Sequence, residues 1–143
     1  MYLLIIIPIL AVLIAQVVKL SIDGINHNLN WRHMFSDYGG MPSSHMAFVA
    51  ALATVIALRE GVASAAFAVS FVLVIVVLRD AVGFRREIGK NAVLTNTLTK
   101  EIFPENPEVL VRERIGHTLP EAAVGIIFGV VLALILYALL AAV

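Results

Sequence analysis

The stretch GGMPSSHMAFVAAL, Gly39–Leu52, joins two unlike halves. Its second half starts an apolar helix, while its first half carries two glycines, a proline, two hydroxyls and a histidine. The chain around it is strongly apolar, with 61 % hydrophobic residues over 143 positions and a mean hydropathy of +0.98, against roughly 45–50 % apolar residues in a soluble domain. The fold class is therefore all-α integral membrane, with one domain over residues 1–143. No cysteine is present, which removes disulfides, thiolate nucleophiles and cysteine-ligated metals. The formal net charge is zero, so no global field recruits nucleic acid, and any functional charge is local.

Outward from the quoted stretch, four apolar runs stand out: Tyr2–Val18, Met46–Leu58, Val62–Leu78 and Ala122–Val143. A hydrocarbon core of about 30 Å asks for roughly 20 helical residues. The second run reaches that range only if its helix begins near Pro42, a residue suited to a first helical turn. This puts Pro42–His45 at the membrane edge. About four transmembrane helices result, plus a short interfacial helix over Glu87–Phe103 closed by Pro104 and Pro107. The first run lacks a basic leader and a small-residue cleavage site, so it reads as a retained span, with Pro8 as a mild kink.

Of ten Lys and Arg residues, nine fall at or in the two long connections, Lys19–Met41 and Arg79–Pro120, and only Arg59 lies in the short hairpin on the other side. The positive-inside rule turns the long connections to the cytoplasm and both termini outward, in the plasma membrane. Four polar clusters share that edge: Lys19; Ser43, Ser44 and His45; Arg79, Asp80, Arg85 and Arg86; and Gly116, His117 and Glu121. Two histidines, several guanidinium groups and two helix N-termini describe an anion site, because free N–H groups and the positive helix end favour a phosphate. Each member also has a plain reading. The serines suit N-caps, the arginines anchor topology, and Glu121 complements a helix dipole. His27 and His33 read as polar loop residues.

These residues carry a resemblance. PSSH, Pro42–His45, resembles the PSGH motif of the type 2 phosphatidic acid phosphatase (PAP2) and vanadium haloperoxidase superfamily. GHTLPEAAVG, Gly116–Gly125, resembles its third motif, with His117, Glu121 and Gly125 at four-residue steps. GGMPSSH, RDAVGFRREIG and ERIGHTLPEAAVG look like the divergent PAP2 branch of small membrane proteins. The sequence departs from the wider superfamily at four points. No Arg-Pro follows Lys19, Ser44 replaces a glycine, Glu121 replaces an aspartate, and Val111 stands where an arginine precedes the nucleophile.

The resemblance implies the catalytic helical core of the PAP2 fold. It implies a metal-independent lipid phosphate phosphatase without cofactors, acting on a phosphatidate, phosphatidylglycerol phosphate or polyprenyl phosphate. In that reading His117 is the nucleophile that forms a phosphohistidine, Glu121 orients it, and His45 protonates the leaving alcohol. Lys19, Ser43, Ser44, the backbone near Gly40, and one or more of Arg79, Arg85, Arg86 and Arg112 bind the phosphoryl oxygens, with Asp80 orienting an arginine. Two other classes fit the same residues: a non-catalytic lipid-phosphate binder and a small oligomeric transporter. A homodimer is expected from Gly125 and Gly129, whose G-x-x-x-G spacing permits close helix approach.

Overall fold

The computed structural model describes residues 2–26, 41–105, 109–111, 113 and 115–141, with side chains in the first range described through Ile22. Its elements are α1 (Leu3–Asn26), α2 (Ser44–Glu60), α3 (Ala65–Arg79), a π-helical turn (Asp80–Phe84), α4 (Arg85–Ile102) and α5 (Leu119–Leu140). Among the described residues, three helices are long and apolar enough to cross a membrane: Leu3–Ile22, the continuous Ala65–Ile102, and Leu119–Leu140. Much of their surface remains exposed, as in Val69, Val72 and Val76 of α3 and Ile127 and Val131 of α5. Such faces suit hydrocarbon.

The expected second span is α2, which has 17 residues and rises about 26 Å at the helical repeat. It is the central helix, and α1, α3 and α5 all pack on it. Enclosure explains its composition. Its neighbours approach closely because the contact faces are small: Ala47, Ala50, Ala51 and Ala53 on α2 meet Ala11 and Ala15 of α1 and Ala122, Gly125, Gly129 and Ala133 of α5. One apolar cluster joins Ile7, Ala11, Ala51, Val55 and Ala133. A second, nearer the polar edge, joins Met46, Val49 and Ala122 with Val74, Val77 and Val82.

The Gly125–Gly129 pair is spent inside the chain. A Cβ on Gly125 would stand 2.6 Å from the Ser43 carbonyl, and one on Gly129 would run into the Ala47 backbone. These glycines admit α2 against α5, so their spacing serves a contact within the chain.

Three expectations change. Lys19 does not end the first helix, because α1 continues to Asn26 and holds Lys19 two turns inside it. Pro42 precedes α2 instead of opening it, with Ser43 at the N-cap. The expected interfacial helix exists, but it is not separate: the π turn joins α4 to α3 in one 38-residue helix. No proline intervenes between Leu78 and Gly89, and the change from apolar to polar composition does not itself interrupt a helix.

Candidate functional site

Three segments meet at one end of the bundle. The first is the start of α2. Ser43 has extended N-cap dihedrals, yet its hydroxyl makes no cap bond. It is 0 % exposed, and among the described residues it has no hydrogen-bond partner. Ser44 is buried and donates to Gln16 Oε1 of α1 at 2.6 Å. That bond ties α2 to α1 one turn before Lys19, itself only 4 % exposed. The first N–H groups of an α-helix point out of its end without intrahelical acceptors.

The second segment is the π turn. A wider turn displaces the hydrogen-bond ladder by one residue and so supplies a carbonyl for another partner. The Ala81 carbonyl accepts from the His117 backbone N–H at 3.0 Å. Asp80 Oδ2 accepts from Arg85 Nε at 2.6 Å, the orientation of an arginine expected for this aspartate. Arg79 and Arg86 are exposed.

The third segment leads into α5. Gly116 has φ +86°, a left-handed conformation that glycine adopts without the steric cost of a Cβ, and it lies against the Arg85–Arg86 backbone. His117 follows, 8 % exposed. Thr118 caps α5, accepting from Glu121 N while its own N–H donates to Glu121 Oε2 at 2.8 Å. Glu121 Oε2 also stands 3.6 Å from His117 Nδ1, close enough for attraction but longer than a hydrogen bond. Nδ1 is otherwise without a partner among the described residues.

Burial, more than any other cause, lowers the His117 pKa from its ordinary 6.5; the Lys19 charge lowers it further, and Glu121 opposes both while His45 adds to the lowering. His117 is therefore held neutral, the form in which an imidazole nitrogen is nucleophilic. Nδ1 is the ring nitrogen that faces Glu121.

A cavity of about 300 Å³ opens beside His117, walled by α4 (Arg86, Lys90), Glu113, Ile115, Gly116, Thr118 and Glu121. Of the candidate arginines, Arg86 shares this cavity with His117, and Arg79 does not line it. Arg85 is engaged by Asp80. His45 is exposed at the second position of α2. Gly39 and Gly40, His27, His33 and Arg112 lie outside the described residues. Among the described residues, no three His, Asp or Glu side chains converge in a way that could hold a metal ion.

Two residues went unnoticed in the sequence reading. Gln16 had a signal, being a lone amide in an apolar span three residues before Lys19. Asn96 had none that set it apart from Asn91 on the same polar helix.

The family model described as the Divergent PAP2 family matches residues 2–132. The chain belongs to the divergent PAP2 family. It is also 36 % identical over 140 residues to a Bacillus subtilis (strain 168) protein described as "Uncharacterized membrane protein YuiD", with 88 % of each chain covered. No solved structure matches the chain.

Proposed function

We propose that this divergent PAP2 protein is a phosphatase for a lipid phosphate monoester, working through a phosphohistidine at His117. The observation that carries the reading is the pairing at one membrane edge of a buried histidine of lowered pKa with a helix start whose own N-cap hydroxyl, Ser43 Oγ, bonds nothing. A phosphoryl group at the α2 start receives N–H groups and the Ser43 hydroxyl, with Lys19 and Arg86 supplying positive charge.

His117 Nε2 attacks phosphorus in line as the ester P–O bond breaks, and His45 gives a proton to the departing alkoxide. Water, deprotonated by His45, then attacks phosphorus, the P–N bond breaks, and inorganic phosphate leaves with His117 restored. Glu121, three ångströms and a fraction from Nδ1, stabilises the histidine through the displacement. A non-catalytic lipid-phosphate binder is the second reading, favoured by Val111, whose exposed side chain replaces the superfamily's arginine.

The test is phosphate release from phosphatidate, phosphatidylglycerol phosphate and undecaprenyl phosphate in detergent micelles. Activity is expected to survive a chelator, to be inhibited by vanadate, and to fall on the order of 10⁴-fold in His117→Ala. Vanadate binding without phosphate release selects the binder. Equal activity in His117→Ala removes the phosphohistidine.

We also propose that α2 crosses the membrane, giving four spans with the site at the cytoplasmic edge. Supporting this is the placement of nine of ten Lys and Arg residues away from the α2–α3 hairpin. A cysteine at Glu60 is expected to react with an impermeant thiol reagent outside intact cells, and one at Glu105 to be protected; the reverse pattern overturns the orientation.

A further inference from the structure

The described residues of the segment before His117 meet the continuous Ala65–Ile102 helix at four levels. At the far end, Asn96 Oδ1 accepts from Val111 N at 2.8 Å, and Asn96 Nδ2 donates to Val111 O and to Glu113 Oε1, each at 2.7 Å. A level closer, the Glu113 and Ile115 carbonyls lie against Gly89, where a Cβ would come within 2.9 Å of both. Next, Gly116 lies on the Arg85–Arg86 backbone. Last, His117 N donates to Ala81 O.

These contacts act together because the short segment is held at both ends, by Asn96 and by Ala81, with Ile115 N donating to Glu113 O at 3.0 Å between them. Asn96 is 3 % exposed, and its amide pairs with Val111 as a second peptide group would. Losing it strands a backbone donor and acceptor together.

We infer that Asn96 is a positioning residue, pinning Val111 and Glu113 to α4 as the anchor of a strap that sets where the His117 ring stands. The inference rests on the phosphatase reading for its catalytic consequence, but not for the strap itself. The strap is also one wall of the cavity beside His117, with α4 as the other, so the same anchor fixes the cavity's width. Asn96 touches neither the cavity nor His117, and it acts only through the chain it holds.

The experiment uses the full chain in detergent micelles, comparing wild type with Asn96→Asp, Glu113→Gln and the double variant. Asn96→Asp keeps the acceptor for Val111 N but sets a carboxylate against Glu113 and the Val111 carbonyl. The double variant restores the bond to residue 113 with donor and acceptor exchanged. Hydrogen exchange in peptides covering 111–118 is expected to quicken about tenfold or more in Asn96→Asp and to return toward wild type in the double variant.

In activity, kcat is expected to fall about 100-fold in Asn96→Asp, the cost of an ångström-scale misplacement, and to recover about tenfold in the double variant. The acid limb of kcat/KM is expected to move up toward the ordinary histidine range as water reaches His117. Among the described residues, Lys19 of α1, His45 of α2, Arg86 and Lys90 of α4, Glu113 of the strap and Glu121 of α5 are the charged and titratable groups around that ring, so Glu113→Gln alone is the control for the charge it removes. A mere loss of folded protein lowers the whole profile without moving it.

If Asn96→Asp yields no folded protein, the double variant decides: folding and activity regained there support the strap, and neither regained overturns it. Folded Asn96→Asp with unchanged exchange at 115–118 also overturns it. Exchange that follows the expected pattern in a wild-type protein releasing no phosphate leaves the strap standing and removes the phosphatase.

Discussion

α2 and α5 begin alike in sequence and differently in structure. Each start has a hydroxyl residue at the N-cap in extended conformation, Ser43 for α2 and Thr118 for α5, with a histidine within two residues. At α5 the hydroxyl and Glu121 close the end with a reciprocal capping box. At α2 the hydroxyl is buried and bonds nothing among the described residues, while its neighbour Ser44 turns away to Gln16. The closed start spends its polar groups on its own helix, so it holds His117 in place. The open start leaves its N-cap hydroxyl unspent among the described residues. Two hydroxyl caps of the same kind thus differ in use, and only the bonding pattern tells them apart.

The two starts are in contact, and separating them has the largest expected effect. Gly125 lies against the Ser43 carbonyl and the Met46 side chain. Gly125→Leu is expected to cost about 3 kcal/mol or more by overpacking and to abolish phosphate release, with thermal unfolding in detergent as the measurement. A folded, active Gly125→Leu protein removes the claim that the starts are fixed to one another.

The next test sets the two caps against each other. Thr118→Ala is expected to lower stability by about 1 kcal/mol. Ser43→Ala is expected to cost no stability, because no bond is lost, while weakening vanadate binding about tenfold or more, as for a hydrogen bond to a charged ligand. Equal stability losses at both sites collapse the comparison.

The smallest expected effect is a pH dependence from His117. Its pKa is lowered in the folded protein, so the unfolded chain takes up a proton first as pH falls. Stability from this group is fully present above 6.5 and is lost as pH falls through the lower, folded value. The His117→Phe variant is expected to lose that part of the acid sensitivity, read from midpoint temperatures across a pH series; an unchanged slope argues that His117 titrates normally.

Much of this was open to reading in the chain itself. The apolar runs announced the helices, and PSSH with GHTLPE announced the two starts, because span ends and polar residues at a membrane edge leave local marks. Lys19 was harder. Its apolar run ends at Val18, but a helix does not stop where hydropathy does. The direction faced by Gly125 and Gly129 was also hidden, since small residues permit contact without choosing between a neighbour in the same chain and one in another. Asn96 pairs with Val111 across fifteen residues. That bond depends on the course of the intervening chain, which no local pattern encodes. The π turn is similar: DAVGF has no composition that separates it from an ordinary helical turn.

That turn makes the protein sensitive to the count of its residues. Each residue removed from or added to Asp80–Phe84 rotates everything beyond it by about 100° relative to α3. Such a change swings Gly89 and Asn96 off the side of the helix where the chain returns, although every span keeps its length and its hydropathy. Between Phe103 and Leu110 the chain makes no such contacts among the described residues, and extra length there costs little closure entropy. The same one-residue edit is thus absorbed in one place and scrambles the site in another, some twenty residues away.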